Sequence, residues 1–150
     1  MHRDTITVFN RVRGIDGDTW YPTVLHGVNV NLDKASIAKQ YGESSQDLMV
    51  LNVPLSKGEP GAGITGNDAV WIPPKEWQQL QDKTGNVTFS SGTGFDFVWV
   101  GEWDGGSVVY DDNYGDLTFY DYMLRNEDFV YAVTSVSLLS VIPHLEVTGR

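Results

Sequence analysis

The sequence predicts a mainly β fold, a small β-barrel or sandwich with one or two short helices and a long glycine-rich loop. Three observations carry that prediction. Short stretches alternate apolar and polar residues with a period of two, the spacing of a strand with one buried face. Glycine, aspartate and asparagine recur between them at short intervals, as in barrels and sandwiches. The segment FDFVWVGEW, Phe95 to Trp103, sets Phe95, Phe97 and Trp99 on one face and Asp96, Val98 and Val100 on the other. A strand apolar on both faces belongs at the centre of a sheet, so Phe95, Phe97 and Trp99 are expected core residues. Phe95 to Tyr131 holds 11 of the 18 aromatics and 9 of the 20 acids. The densest packing and the most acidic surface are therefore expected in the same part of the chain.

Taken in order, Thr5 to Arg13 alternates β-branched and polar residues and reads as the first strand. Gly14 to Asp18 is turn chemistry. Thr19 to Asn31 is a second strand, pairing with the first as a hairpin, and Pro22 marks a sheet edge or a bulge because it has no N–H. Asp33 caps a short predicted helix over Lys34 to Tyr41, stopped by Gly42. Leu48 to Leu55 returns to strand. Ser56 to Asp68, rich in glycine, reads as a flexible loop. Pro73 and Pro74 open a helix expected to run to about Lys83. Val87 to Phe89 is a short strand before the central one. Gly101 to Gly106 is a turn, Val108 to Tyr110 a local pairing, and Asp111 to Asp116 an acidic loop. Leu117 to Arg125 reads as short helical or irregular structure. Phe129 to Ser137 and Val141 to Val147 close the chain as two strands, with Pro143 at a bend or an edge.

A chain of 150 residues fits one domain, residues 1–150, able to bury a core without staples. With no cysteine, disulfides, thiolate metal sites and thiol nucleophiles are excluded. No apolar run approaches the ~20 residues of a membrane-spanning helix. The start MHRDTITVF lacks the apolar stretch of a signal peptide, which points to the cytoplasm or to an assembly built there. The net charge of −10 argues against holding phosphate backbones, which needs clustered Lys and Arg.

Catalytic signatures are sparse. His2, His26 and His144 have no spacing that demands a metal. The run Asp111-Asp112-Asn113-Tyr114-Gly115-Asp116 has the oxygens for a loose calcium loop, but Gly115 is fifth where an EF-hand needs its glycine sixth. A solvated acidic turn explains it as well. Asp96 and Glu102 share a strand face, but six residues at ~3.3 Å each separate them too far for glycoside hydrolysis. No nucleophile elbow or phosphate loop occurs. The residues therefore favour a protein that is not an enzyme and carries no cofactor.

Several stretches are familiar together: TITVFNRV (Thr5–Val12), GDTWYPTVLHGVNVN (Gly17–Asn31), PPKEW (Pro73–Trp77), FVWVGEW (Phe97–Trp103), FYDYM (Phe119–Met123) and YAVTSVSLLSVIPHLEV (Tyr131–Val147). In this order, over about residues 5 to 149, they resemble small virion proteins of long-tailed bacteriophages, the minor capsid or head–tail connector proteins. Within them the layout looks most like the head-closure, or stopper, class. That resemblance implies a β-barrel with inserted loops and a homo-oligomeric ring, a hexamer or a dodecamer. It implies the portal–adaptor complex and the tail as partners, a place at the virion neck, assembly in the host cytoplasm, and no membrane. DNA would pass through the ring without specific binding. On this reading part of the cluster Asp104, Asp111, Asp112, Asp116 and Asp121 lines the channel. The loop carrying Gly58, Pro60, Gly61, Gly63 and Gly66 reaches a neighbouring subunit. A carbohydrate- or ligand-binding β-module on the virion surface, using exposed Trp71, Trp77 or Trp103, is the competing reading.

Overall fold

The computed structural model describes residues 4–32 and 48–150. The helix expected over Lys34 to Tyr41 lies outside the described residues. Nine strands are described: β1 (Asp4–Val12), β2 (Thr19–Leu32), β3 (Met49–Pro54), β4 (Val70–Trp71), β5 (Asn86–Val87), β6 (Phe97–Trp99), β7 (Val109–Tyr110), β8 (Val130–Leu139) and β9 (His144–Gly149). Two short helices accompany them, α1 (Pro74–Gln79) and α2 (Phe119–Asn126).

Six of the strands close a barrel. The order β1-β6-β8-β9-β3-β2 returns to β1, and every pairing around it is antiparallel. Closure removes the open edges that a flat sheet of this size would expose. The long strand β2 makes this possible by changing neighbours. Its first part pairs β1 from Thr19 to Val28, and its last part, Asn29 to Leu32, pairs β3. The register with β1 slips between Asp4 and Ile6, beside Gly27 at φ 70°. A bulge with a left-handed residue bends the strand, and glycine takes that conformation without Cβ strain. The extra strand β7 adds to the start of β2, and β4 and β5 form a small parallel pair off the barrel.

The two faces of the wall build two cores. Ile6, Val8, Leu25, Val98, Val133, Leu145 and Val147 belong to the larger cluster, with Met49, Leu51 and Val53 of β3. Residues of opposite parity, Phe9 and Phe97, join Trp20, Val109, Val130, Phe119 and Met123 in a second, aromatic cluster under α2. Phe97 is fully buried and stacks on Phe9 at 4.7 Å. Phe95 and Trp99 lie only partly buried at the margin of this cluster. The central strand is thus central, between β1 and β8, but only three residues long, and the aromatic face is a second core rather than the barrel interior.

Ser56 to Asp68 is not a bare mobile loop. Ala62 and Ile64 are buried, and Ile64 N–H donates to the Ala69 carbonyl at 2.8 Å while Trp71 N–H donates to the Ala62 carbonyl. Asn67 pairs both backbone groups of His26, its Oδ1 accepting from N–H and its Nδ2 donating to the carbonyl. Two apolar side chains in a glycine-rich run were enough to fold it back onto the barrel. Helix α1 stops at Gln79, short of Lys83, because Leu80 is extended; the Lys83 Nζ instead donates to the Leu80 carbonyl at 2.6 Å. The last hairpin turns later than its sequence pattern indicates. Strand β8 runs on to Leu139 and β9 starts at His144, so Val141 and Ile142 occupy the turn and not a strand.

Candidate functional site

Thr7, Asn10, Thr88, Asp96 and Asp111 are the buried polar side chains among the described residues. Burial without partners is costly, so each must be satisfied or explained. Thr7 donates to the Gly101 carbonyl at 2.8 Å and accepts from Trp103 N–H at 3.0 Å, tying the turn after β6 to β1. Asn10 Nδ2 donates to the Thr88 carbonyl at 2.7 Å and to Asp96 Oδ2 at 3.0 Å. Asp96 Oδ1 accepts from Arg11 N–H at 2.9 Å. Despite these two donors, desolvation dominates and raises the Asp96 carboxyl to about 7. The Thr88 hydroxyl has no partner among the described residues.

Asp111 is the second polar centre. Its Oδ1 accepts from Trp20 Nε1 at 2.8 Å and from Phe119 N–H at 2.9 Å, and its Oδ2 accepts from Asp18 N–H at 2.9 Å. One carboxylate thus joins β2, the turn before it and the first residue of α2. Thr118 completes the start of that helix by accepting from Asp121 N–H. Close by, the Arg11 guanidinium lies between Trp20 at 4.5 Å and Phe95 at 4.3 Å, with Asp18 at 3.3 Å. Burial lowers the Arg11 pKa, opposed chiefly by Asp18. Burial raises the nearby Tyr120 hydroxyl to about 12.

The acids expected to line a channel divide accordingly. Asp104, Asp112, Asp116 and Asp121 are exposed, all within the segment wrapped over the aromatic core. Asp111 is buried and its oxygens are committed within the fold, so it is withdrawn from the channel set and from any calcium loop. Asp96 is buried while Glu102 is exposed, and β6 ends between them. His26 Nδ1 lies 3.0 Å from Thr5 Oγ1, and His144 Nδ1 lies 2.7 Å from the Ile142 carbonyl. Among the described residues no group of three or more His, Asp or Glu is placed to hold a metal. Of the tryptophans offered for sugar stacking, Trp77 is fully buried and Trp71 is buried, whereas Trp103 is half-buried and packs edge-on against Phe9 and Phe119. Of the glycine-rich segment, Pro60, Gly61 and Gly66 are exposed, and Gly58 and Gly63 are half-buried.

Two surface features were not anticipated from the sequence. The β8–β9 turn carries Val141 at 98% and Ile142 at 76% exposure. On β8 of the same hairpin, Val136 and Leu138 line an open cleft of about 430 Å³ with Trp71, Pro74, Phe89, Ser90 and Ser91. The signal was present: SVIPH lacks the glycine, asparagine or aspartate expected at a hairpin turn. Reading the apolar pair as strand concealed it. Asn10 shares parity with Ile6 and Val8 of β1, and Asp96, just before β6, shares it with Val98, so the burial of each had a local signal, but their pairing did not.

A model of the family DUF6751, described as a family of unknown function, matches residues 1–150. No curated protein and no solved structure matches the chain.

Proposed function

The chain belongs to DUF6751, a family without an assigned function, and we propose that it is a virion structural protein: a ring-forming head–tail connector subunit of the head-closure kind. The observation that carries this reading is the closed antiparallel barrel with short helices and folded insertions. That is the architecture the resemblance of the sequence implies. In such a ring Asp104, Asp112, Asp116 and Asp121 are the acids available to face passing DNA. An acidic wall repels phosphates, and at a Debye length of ~8 Å the repulsion acts at channel distances.

The reading is tested on particles. Mass spectrometry of purified tailed virions should find the chain, and a nonsense mutant in its gene should yield heads that lose DNA and carry no tails. Normal tailed particles without the chain would overturn it.

A further inference from the structure

We propose that the edge of β2 at Pro22 to Val24 takes up an extended, basic peptide segment of a partner protein as an added strand. Closure of the barrel leaves this stretch of β2 paired on one side only. Toward β1 the pairing runs from Thr19 to Val28, and from Thr19 to Leu25 its register does not slip. On the other side β7 pairs Thr19 and Trp20, and β3 pairs from Asn29 onward. The backbone groups of successive strand residues point alternately to the two neighbours. Asp18 faces away from β1, since its carbonyl accepts from Asp111 N–H at 3.0 Å and its N–H donates to Asp111 Oδ2. His26 faces the same way, because both its backbone groups meet the Asn67 side chain. Alternation between these two points puts Pro22 and Val24 on that side as well. Among the described residues no strand or side chain meets the Val24 N–H, the Val24 carbonyl or the Pro22 carbonyl there.

Beside this edge runs a groove of about 460 Å³. Tyr21, Pro22, Thr23 and Val24 all line it, and a groove that touches both parities follows the edge of a strand and not one face. What already fills the same edge identifies the occupant. At Trp20 it is the backbone of Val109. At His26 it is a side-chain amide: Asn67 Oδ1 accepts from the N–H at 2.8 Å, and Nδ2 donates to the carbonyl at 2.9 Å. That pair of bonds is what a residue of an antiparallel strand would make. The positions between call for the same group, an amide in extended backbone. Pro22 sets the limit, since it accepts but has no N–H to donate. The added strand therefore makes both bonds to Val24 and a single bond to Pro22. Charge fixes the side chains. Asp68 and Asp82 line the groove and are exposed, while Lys83 turns its Nζ to the Leu80 and Gln78 carbonyls. These acids and the net charge of −10 favour lysine or arginine on the incoming segment and disfavour a second copy of this chain. The site does not depend on the connector reading.

The probe is a fluorescein-labelled peptide, Lys-Val-Thr-Val-Lys amide, titrated into the full chain and followed by fluorescence polarisation and by amide hydrogen exchange in NMR. Binding with a Kd of about 0.1–1 mM is expected. In the free chain the Val24 amide should exchange faster than those of Thr23 and Leu25, which face β1, and the peptide should slow it by about tenfold or more. The same peptide N-methylated at its inner residues, or with glutamate in place of lysine, should bind about tenfold more weakly or worse. Val24→Pro deletes the N–H on an edge that already carries Pro22, and should weaken binding as N-methylation does while circular dichroism stays native. If that variant unfolds, the N-methylated peptide makes the same comparison on the wild-type chain. Asp68→Asn with Asp82→Asn should remove the preference for the lysine peptide over the glutamate one. A free Val24 amide as protected as that of Leu25, no binding at about 1 mM, or equal binding of the N-methylated or the glutamate peptide would each overturn the proposal. So would protection of Val24 that rises with protein concentration in the absence of peptide, since the occupant would then be a second copy.

Discussion

Replacing Asp96 with asparagine should flatten the pH dependence of stability between about pH 4 and 7. The carboxyl is almost wholly buried beside Asn10, and desolvation raises its pKa from 3.8 to about 7. Because the folded value lies above the unfolded one, folding favours the protonated form. This group's contribution is fully present below about pH 4, declines as pH rises, and is gone above about pH 7. Each pH unit in that window corresponds to about 1.4 kcal/mol, so the wild-type chain should lose about 2–3 kcal/mol between pH 5 and pH 8 from this group. The asparagine side chain keeps the size and cannot ionise, so Asp96→Asn should lose far less over the same range. Urea unfolding followed by tryptophan fluorescence at pH 5 and pH 8, on both proteins, gives the four values needed. If both proteins change equally with pH, the carboxylate is ionised throughout. Its two N–H donors would then outweigh desolvation, and the reasoning fails.

Phe97→Ala removes a fully buried ring stacked on Phe9 and should cost ~3–5 kcal/mol; a urea midpoint shift equivalent to less than about 1 kcal/mol would place that face outside the core. Ile64→Ala should cost ~2–5 kcal/mol, with the amides of Ile64 and Trp71 protected from hydrogen exchange in the isolated chain. Unprotected amides there would restore the flexible-loop reading. Asp111→Ala strands the N–H groups of Asp18, Trp20 and Phe119 and should cost about 3 kcal/mol or more, with loss of α2 seen in far-ultraviolet circular dichroism. In particles, Asp112→Lys with Asp116→Lys should slow DNA ejection without blocking assembly, and unchanged ejection would put these acids on the outside of the ring.

Several features of this chain follow from local pattern alone. Period-two alternation marked β1, β2, β3 and β8 because each has a buried face, and burial of one face is what a period of two records. Pro73 and Pro74 announced α1, since proline suits a first helical turn. The excess of aromatics after Phe95 announced the second core. What pattern could not supply is whatever depends on a distant partner. Whether Asp111 faces water or accepts from Trp20, 91 residues away, is decided by the path of β2 and not by its acidic neighbours. The fate of Ser56 to Asp68 turned on Ala62 and Ile64 finding the barrel, against a glycine content that favours disorder. The position of the last turn was set by register: Leu139 pairs with His144, and that pairing carries Val141 and Ile142 past the end of the sheet. Alternation says that two residues share a face, but only closure of the barrel decides which face looks inward, which lies under a helix, and which side chains are left in water.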